Sequence, residues 1–330
     1  MTTLWDTTGS DVVKALAAER RLAGSVASGL ALTLVVVVDE KHVAEAEQAA
    51  THAASQHPCR LLVVVRRRPE ATEPRLDAEV LIGGRLGPGE AIVMRMYGRL
   101  ALHAESVVLP LLAPDAPVVT WWYGEPPHRI AHDPLGVFAD RRITDCSLAT
   151  DALAALRQRA VDYAPGDTDL GWTRTTLWRA LCASAFDSVD SPVRRVRVSG
   201  APGHVTRALL TGWLSSRLDT EVEVVDTDGT GLGELLIELD DVEVKLTRGR
   251  GPGAVLSRTG QPDRSMPLPR RDLGELLAEE LRRLDPDEPY AEALGRATGV
   301  DGLAERGQQR VHEWHDPTEE AEPDPALTVS

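Results

Sequence analysis

Residues 30–38 read LALTLVVVV, an almost unbroken apolar and β-branched run. A strand with one wet face alternates apolar and polar residues, so a continuous run belongs to a strand buried on both faces. Residues 40–56 then set Val43, Ala46, Ala50 and Ala53 on one helical stripe, and residues 61–65, LLVVV, form a second apolar strand. Strand, helix and strand within about 35 residues make a βαβ unit with a right-handed crossover.

The pattern extends in both directions. Val12, Val13, Leu16 and Leu22 have helical spacing, with Ser10 as the N-cap. Residues 78–82 and 91–97 predict an antiparallel strand pair joined by the glycine-rich connection 83–89. Leu100, Ala104, Val107, Val108 and Leu111 form a helical stripe. Pro110 should kink or end it, because proline lacks the N–H that would bond back to Ser106. Residues 118–122 and 142–146 predict two more strands, and 151–159 a helix. Residues 1–162 are therefore expected to form a Rossmann-like α/β domain with a mostly parallel sheet.

The stretch 163–169, YAPGDTD, is polar and reads as a linker. A second domain is expected over 170–312. Its first helix sets Trp178, Leu181, Cys182, Ala185 and Phe186 on one face. Strand 193–198, helix 203–218 and strands 221–225, 234–239, 242–247 and 254–258 follow. Val242, Val244 and Leu246 alternate with Glu243, Lys245 and Thr247, so one face of that sheet is wet. Asp240 and Asp241 make a hairpin turn. Helices at 272–284 and from Pro289 complete an α+β domain with helices on one face of an antiparallel sheet. The tail, 313–330, is rich in Asp, Glu and Pro and is expected to be disordered.

Composition narrows the function. The 330 residues suffice for two ordinary domains, and 42% hydrophobic with 26% charged residues is globular. No run approaches the roughly 18 apolar residues that cross a bilayer. MTTLWDTTGSDVV lacks a basic region followed by an apolar one, so a cytoplasmic protein is expected. A formal net charge of −15 disfavours nucleic acid and anionic membrane as partners. Cys59, Cys146 and Cys182 are far apart and form no C-x-x-C pair, which argues against a zinc cluster or a disulfide framework.

The strand ends are the place for chemistry, since ligands of open α/β sheets bind beyond the carboxyl ends of the strands. They deliver Asp39-Glu40-Lys41, Arg66-Arg67-Arg68, Tyr123-Gly124-Glu125 and Asp145-Cys146-Ser147. None is a glycine-rich cradle opening a helix, so no dinucleotide or other cofactor is expected. Residues 229–233, GTGLG, precede an apolar strand-like run and read as a turn. Gly200 to Gly203 lie between strand and helix, and together with Arg66 and Arg67 are the candidates for holding an anion. No tight histidine spacing marks a metal, and no G-x-S-x-G elbow surrounds Ser106 or Ser147.

Residues 103–127, HAESVVLPLLAPDAPVVTWWYGEPP, concentrate residue types that are costly to place. Trp121 and Trp122 fall on opposite faces of one strand, and two readings stand: both are core, or they anchor an interface with Tyr123, Glu125, Pro126 and Pro127. Arg141 and Arg142 similarly either pair with Asp140 and Asp145 or hold a partner's carboxylates.

Three segments, SVVLPLLAPDAPVVTWWYGEPP, DRRITDC and DTDLGWTRTTLWRAL, together resemble the glucose-6-phosphate dehydrogenase assembly protein family, OpcA, of actinobacteria and cyanobacteria. The resemblance is collinear over residues 10–300. It implies a non-catalytic partner that binds glucose-6-phosphate dehydrogenase and promotes its active oligomer or its substrate response, in the oxidative pentose phosphate route that supplies NADPH. It carries no catalytic residues onto this chain. The stoichiometry and the chain's own oligomeric state stay open. The alternative is a sugar-phosphate-binding protein or enzyme using the carboxyl edge of the first sheet.

Overall fold

The computed structural model describes residues 1–24, 30–83, 89–186, 191–249, 251–307 and 310–313. The apolar runs of the first half become one sheet of strands β1 (Thr2–Leu4), β2 (Leu32–Asp39), β3 (Cys59–Arg67), β4 (Arg75–Ile82), β5 (Glu90–Tyr97), β6 (Val118–Tyr123), β7 (Arg141–Thr144) and β8 (Asp167–Asp169). Their spatial order is β1-β4-β5-β3-β2-β6-β7-β8. From β5 to β8 every neighbour is parallel, while β4 and β1 add an antiparallel edge. The six parallel strands thus follow the doubly wound order, which reverses between β2 and β6.

Both faces of this sheet are covered, as the continuous apolar runs require. Ala46, Ala50 and Ala53 of helix Val43–Gln56 pack on one face beside Leu276, Leu277 and Leu281. Leu276 and Leu277 come from helix Leu273–Glu280, far along the chain. A Cβ on Gly274 would lie 2.7 Å from the His52 Cβ, so glycine lets these two helices approach closely. Val12, Leu16, Val107, Val108 and Leu111 cover the other face.

The second sheet contains β9 (Val193–Gly200), β10 (Val222–Asp226), β11 (Leu232–Leu239), β12 (Glu243–Arg248), β13 (Gly253–Arg258) and β14 (Gln261–Pro267), in the order β10-β9-β11-β12-β13-β14. Only the β9–β10 pairing is parallel. Helices Thr176–Phe186 and Val205–Leu218 cover one face through Trp178, Cys182, Leu210 and Leu214. The wet face carries exposed ion pairs such as Arg195–Glu223 and Lys245–Glu234. Among the described residues, no helix is long and apolar enough to cross a membrane.

Several expectations change. Residues 163–169 are not an exposed linker: Asp167–Asp169 is β8, and Tyr163 is buried against Tyr290. The carboxylates there are satisfied internally, Asp167 by Arg142 and Arg310, and Asp169 by Thr144, Cys146 and Gly171. Val205, Leu209 and Tyr290 share a core with Cys146, Leu156 and Trp172, so the two halves are joined by packing. Strand β14, QPDRSMP, is an almost wholly exposed edge with a proline near each end and shows no apolar pattern. The stripe at 100–111 is broken into Arg99–Leu102, Glu105–Val108 and a 3-10 turn holding Pro110. Thr8, not Ser10, caps the first helix. The connection 84–88 and the tail from 314 lie outside the described residues, while Glu313 pairs with Arg129 at 2.6 Å.

The halves are tied by a buried charge. Arg141 of β7 donates to Glu280 from Nε at 3.2 Å and Nη2 at 2.5 Å, and Glu280 also accepts from Thr173 Oγ1 at 2.6 Å. Replacing Glu280 by Ala strands the Arg141 guanidinium and should cost about 3–5 kcal/mol in urea unfolding. Replacing Glu223 by Ala, which breaks an exposed pair, should cost less than about 1 kcal/mol.

Candidate functional site

The carboxyl ends of β2 and β6 meet at the point where strand order reverses, the place where doubly wound folds bind ligands. Here β2 ends in Asp39, whose carboxylate accepts the backbone N–H of Lys41 at 3.0 Å and of His42 at 3.1 Å. Those are the donors a phosphate would otherwise use at a helix start. The His42 ring then packs on Tyr123, centroids 5.5 Å apart, so side chains of the chain itself line the crevice mouth.

The tryptophan pair is interior. Trp121 is 0% and Trp122 1% exposed. Alternation places Trp121 with Tyr123 against the Val43–Gln56 helix, in an edge-on contact at 5.5 Å. Trp122 lies on the opposite face and donates from Nε1 to Asp133 at 3.3 Å. Asp133 also accepts from Arg66 Nη2 at 2.9 Å and the Leu135 N–H at 3.0 Å. A Cβ on Gly136 would meet the Trp122 ring at 3.0 Å, so glycine makes room for the indole. Burial, and then the Glu45 carboxylate, push the Tyr123 hydroxyl pKa up. The interface reading of Trp121 and Trp122 is therefore corrected: both serve the core, because the strand carrying them is covered on each side.

Arg141 and Arg142 are buried too, at 2% and 4% exposure. Arg141 bonds Glu280, and Arg142 bonds Asp167 and the carbonyls of Ala139 and Pro165. Both are enclosed by carboxylates of the same chain. Of the candidate set, Glu125 is exposed and Pro126 and Pro127 are half-buried, in the turn that leaves β6 through Gly124 at φ 106°.

The anion candidates do not converge. Arg66 is held by Asp133, and Arg67 by Glu40 and the Tyr97 hydroxyl. Gly200 and Gly203 belong to the other sheet. The Gly200 carbonyl accepts from Arg207 and from the Thr227 N–H, each at 2.9 Å, while Gly203, at φ 67°, is exposed. Beside this turn the sequence reading missed a cavity of about 560 Å³, lined among others by His204, Arg248 and Arg270. The GTGLG turn at 229–233 lines it, a signal that was visible in the sequence but assigned to a turn alone.

Buried Asp145 and Asp169 organise the ends of β7 and β8. Arg174 grips Asp145 with bonds of 2.8 and 2.6 Å, and Asp169 accepts from Thr144 Oγ1 and from the N–H groups of Cys146 and Gly171. Burial, then the neighbouring Asp145 charge, raises the Asp169 pKa. Among the described residues, no cluster of three His, Cys, Asp or Glu side chains is arranged to hold a metal. The cysteines sit in three different cores, and burial pushes Cys59 and Cys182 each up to about 12 and raises Cys146 as well.

The strand order and this occupied edge define a Rossmann-like α/β half joined to an antiparallel-sheet half. Residues 50–161 match the glucose-6-phosphate dehydrogenase subunit N-terminal domain, and residues 165–294 match the C-terminal domain of the same subunit. The chain belongs to the OpcA family of glucose-6-phosphate dehydrogenase assembly proteins.

A protein of Synechocystis sp. provisionally named OxPP cycle protein OpcA is 26% identical over 180 residues, 50% of this chain and 38% of that relative. The chain thus matches well under two thirds of the relative's length. Among solved structures, an oxidoreductase from Sinorhizobium meliloti is 11% identical with a TM-score of 0.47, covering 83% of this chain and 97% of that one. A levoglucosan dehydrogenase solved with NADH and L-sorbose is 10% identical with a TM-score of 0.43, covering 83% and 96%.

Two outcomes follow for this edge. Replacing Trp122 by Ala should lower stability by about 3–5 kcal/mol in denaturant unfolding, because it opens a cavity and strips Asp133 of a donor. In the native protein a thiol reagent should label the cysteines slowly, and in denaturant all three should react, since a buried thiol is rarely ionised.

Proposed function

We propose that this chain is a non-catalytic partner that binds glucose-6-phosphate dehydrogenase and favours its active oligomeric state, in the cytoplasm, within the oxidative pentose phosphate route. The observation that carries the reading is the match of both halves to the two domains of a glucose-6-phosphate dehydrogenase subunit family. The name of the Synechocystis relative, an OxPP cycle protein, agrees with it. The switch point supports the non-catalytic part. Asp39 occupies the N–H donors there, and the nearby Arg66 and Arg67 are bound to Asp133 and Glu40.

An activator works by binding one state of its target better than another. A tenfold preference amounts to about 1.4 kcal/mol, within reach of a small contact. In this reading the Glu125-Pro126-Pro127 turn is part of the contact surface. Two prolines have little backbone freedom to lose on docking, and Glu125 supplies a free charge. Trp121, Trp122, Tyr123, Arg141 and Arg142 act from beneath by holding the turn in place.

The test is an NADP-reduction assay of the cognate dehydrogenase with and without this chain, paired with co-elution on a sizing column. A faster rate and a shared elution peak are expected. No co-elution and an unchanged rate sink the proposal. The double variant Glu125→Lys, Pro127→Ala should keep the melting temperature and bind about tenfold more weakly. Full activation by that variant removes the turn from the contact surface.

A further inference from the structure

We propose that the cavity in the second half binds a small phosphorylated molecule. Its volume, about 560 Å³, falls within the roughly 300–1,000 Å³ typical of small-molecule sites. The walls come from separate segments of the second half: Arg174 after β8, Trp178, His204, the Gly229–Gly233 turn, and the β12 end and approach to helix Leu273–Glu280, which bring Arg248, Arg270 and Arg271.

The charge of these walls is the main argument. The chain as a whole carries a formal charge of −15, yet the described residues lining this cavity include four arginines and no Asp or Glu. Arg174 and Arg271 are neutralised from outside the cavity by Asp145 and Glu279. Arg248 and Arg270 have no carboxylate partner among the described residues. The Arg248 guanidinium donates to the Leu268 carbonyl at 3.0 Å and lies 5.3 Å from the Trp178 ring centroid. Burial, and then the nearby Arg270 charge, lower its pKa.

Two neighbouring cations, one of them half-buried, repel each other unless an anion lies between them. A phosphomonoester dianion balances two guanidinium charges, and the Arg fork matches its oxygens. The remaining wall is neutral, with Leu177, Leu232 and Leu268 on its apolar part. Thr227 and Thr230 line it, and His204 has a buried Nδ1 with no hydrogen-bond partner among the described residues. Burial, then Arg174 and Arg207, lower the His204 pKa, which disfavours a further positive charge on this wall. The arrangement suits a phosphorylated polyhydroxy compound.

The site is independent of the dehydrogenase partnership, because binding is read on this chain alone. Calorimetric titration of the full chain would use a hexose monophosphate, the free hexose, inorganic phosphate and an Asp/Glu-rich peptide. The hexose monophosphate should bind, inorganic phosphate more weakly, and the free hexose not at all. Arg270→Gln, an exposed substitution, should leave the melting temperature unchanged and weaken binding about tenfold, the loss of one charge-assisted contact. Arg248→Gln should do the same and also alter the Trp178 fluorescence. Unchanged affinity in folded Arg270→Gln overturns the assignment. So does uptake of the acidic peptide without uptake of the hexose monophosphate.

Discussion

The buried Arg141–Glu280 pair is the constraint on which the architecture turns. A guanidinium at 2% exposure needs a counter-charge inside the protein. The counter-charge arrives 139 residues later, on a helix that the chain must bring back across the first sheet. Once there, Leu276, Leu277 and Leu281 complete the core over helix Val43–Gln56. Thr173 and Thr176 bond to Glu280 and Glu279 of the same helix, so the start of the second half is locked to the end of the first sheet. The cavity of the second half takes its shape from this return, because Arg270, Arg271 and Leu276 all line it.

The first sheet has the wiring of a nucleotide-binding fold with its usual phosphate donors already occupied. That outcome is local and physical. An Asp at the end of β2 caps its own turn, and the aromatic residues of β6 fill the space beyond. A Rossmann-like strand order therefore describes how the chain packs and says little about chemistry. The unbalanced positive charge lies elsewhere, in the cavity of the second half.

The parallel strands were legible because residues 30–38 and 61–65 are apolar throughout, a pattern that only a doubly covered strand needs. The antiparallel pairs were legible from alternation and turn residues. Strands β8 and β14 were not. Each is polar in sequence, and each is held by partners that no local pattern names: Arg142 and Arg310 for Asp167, and the β13 backbone for β14. The Trp121–Pro127 segment stands out in the sequence for its costly residue types. Its two possible roles differ only in what lies above the sheet, and periodicity is silent on that.

By itself the sequence determined the two-half α/β and α+β organisation, the lack of a glycine phosphate cradle and the family resemblance, because these depend on local periodicity and contiguous motifs. The tertiary structure decided which charges are buried, that residues 163–169 are sheet and not linker, and that four arginines from separated segments face one cavity. Those outcomes depend on contacts between residues far apart in the chain, where hydrogen bonding and desolvation outweigh local preference.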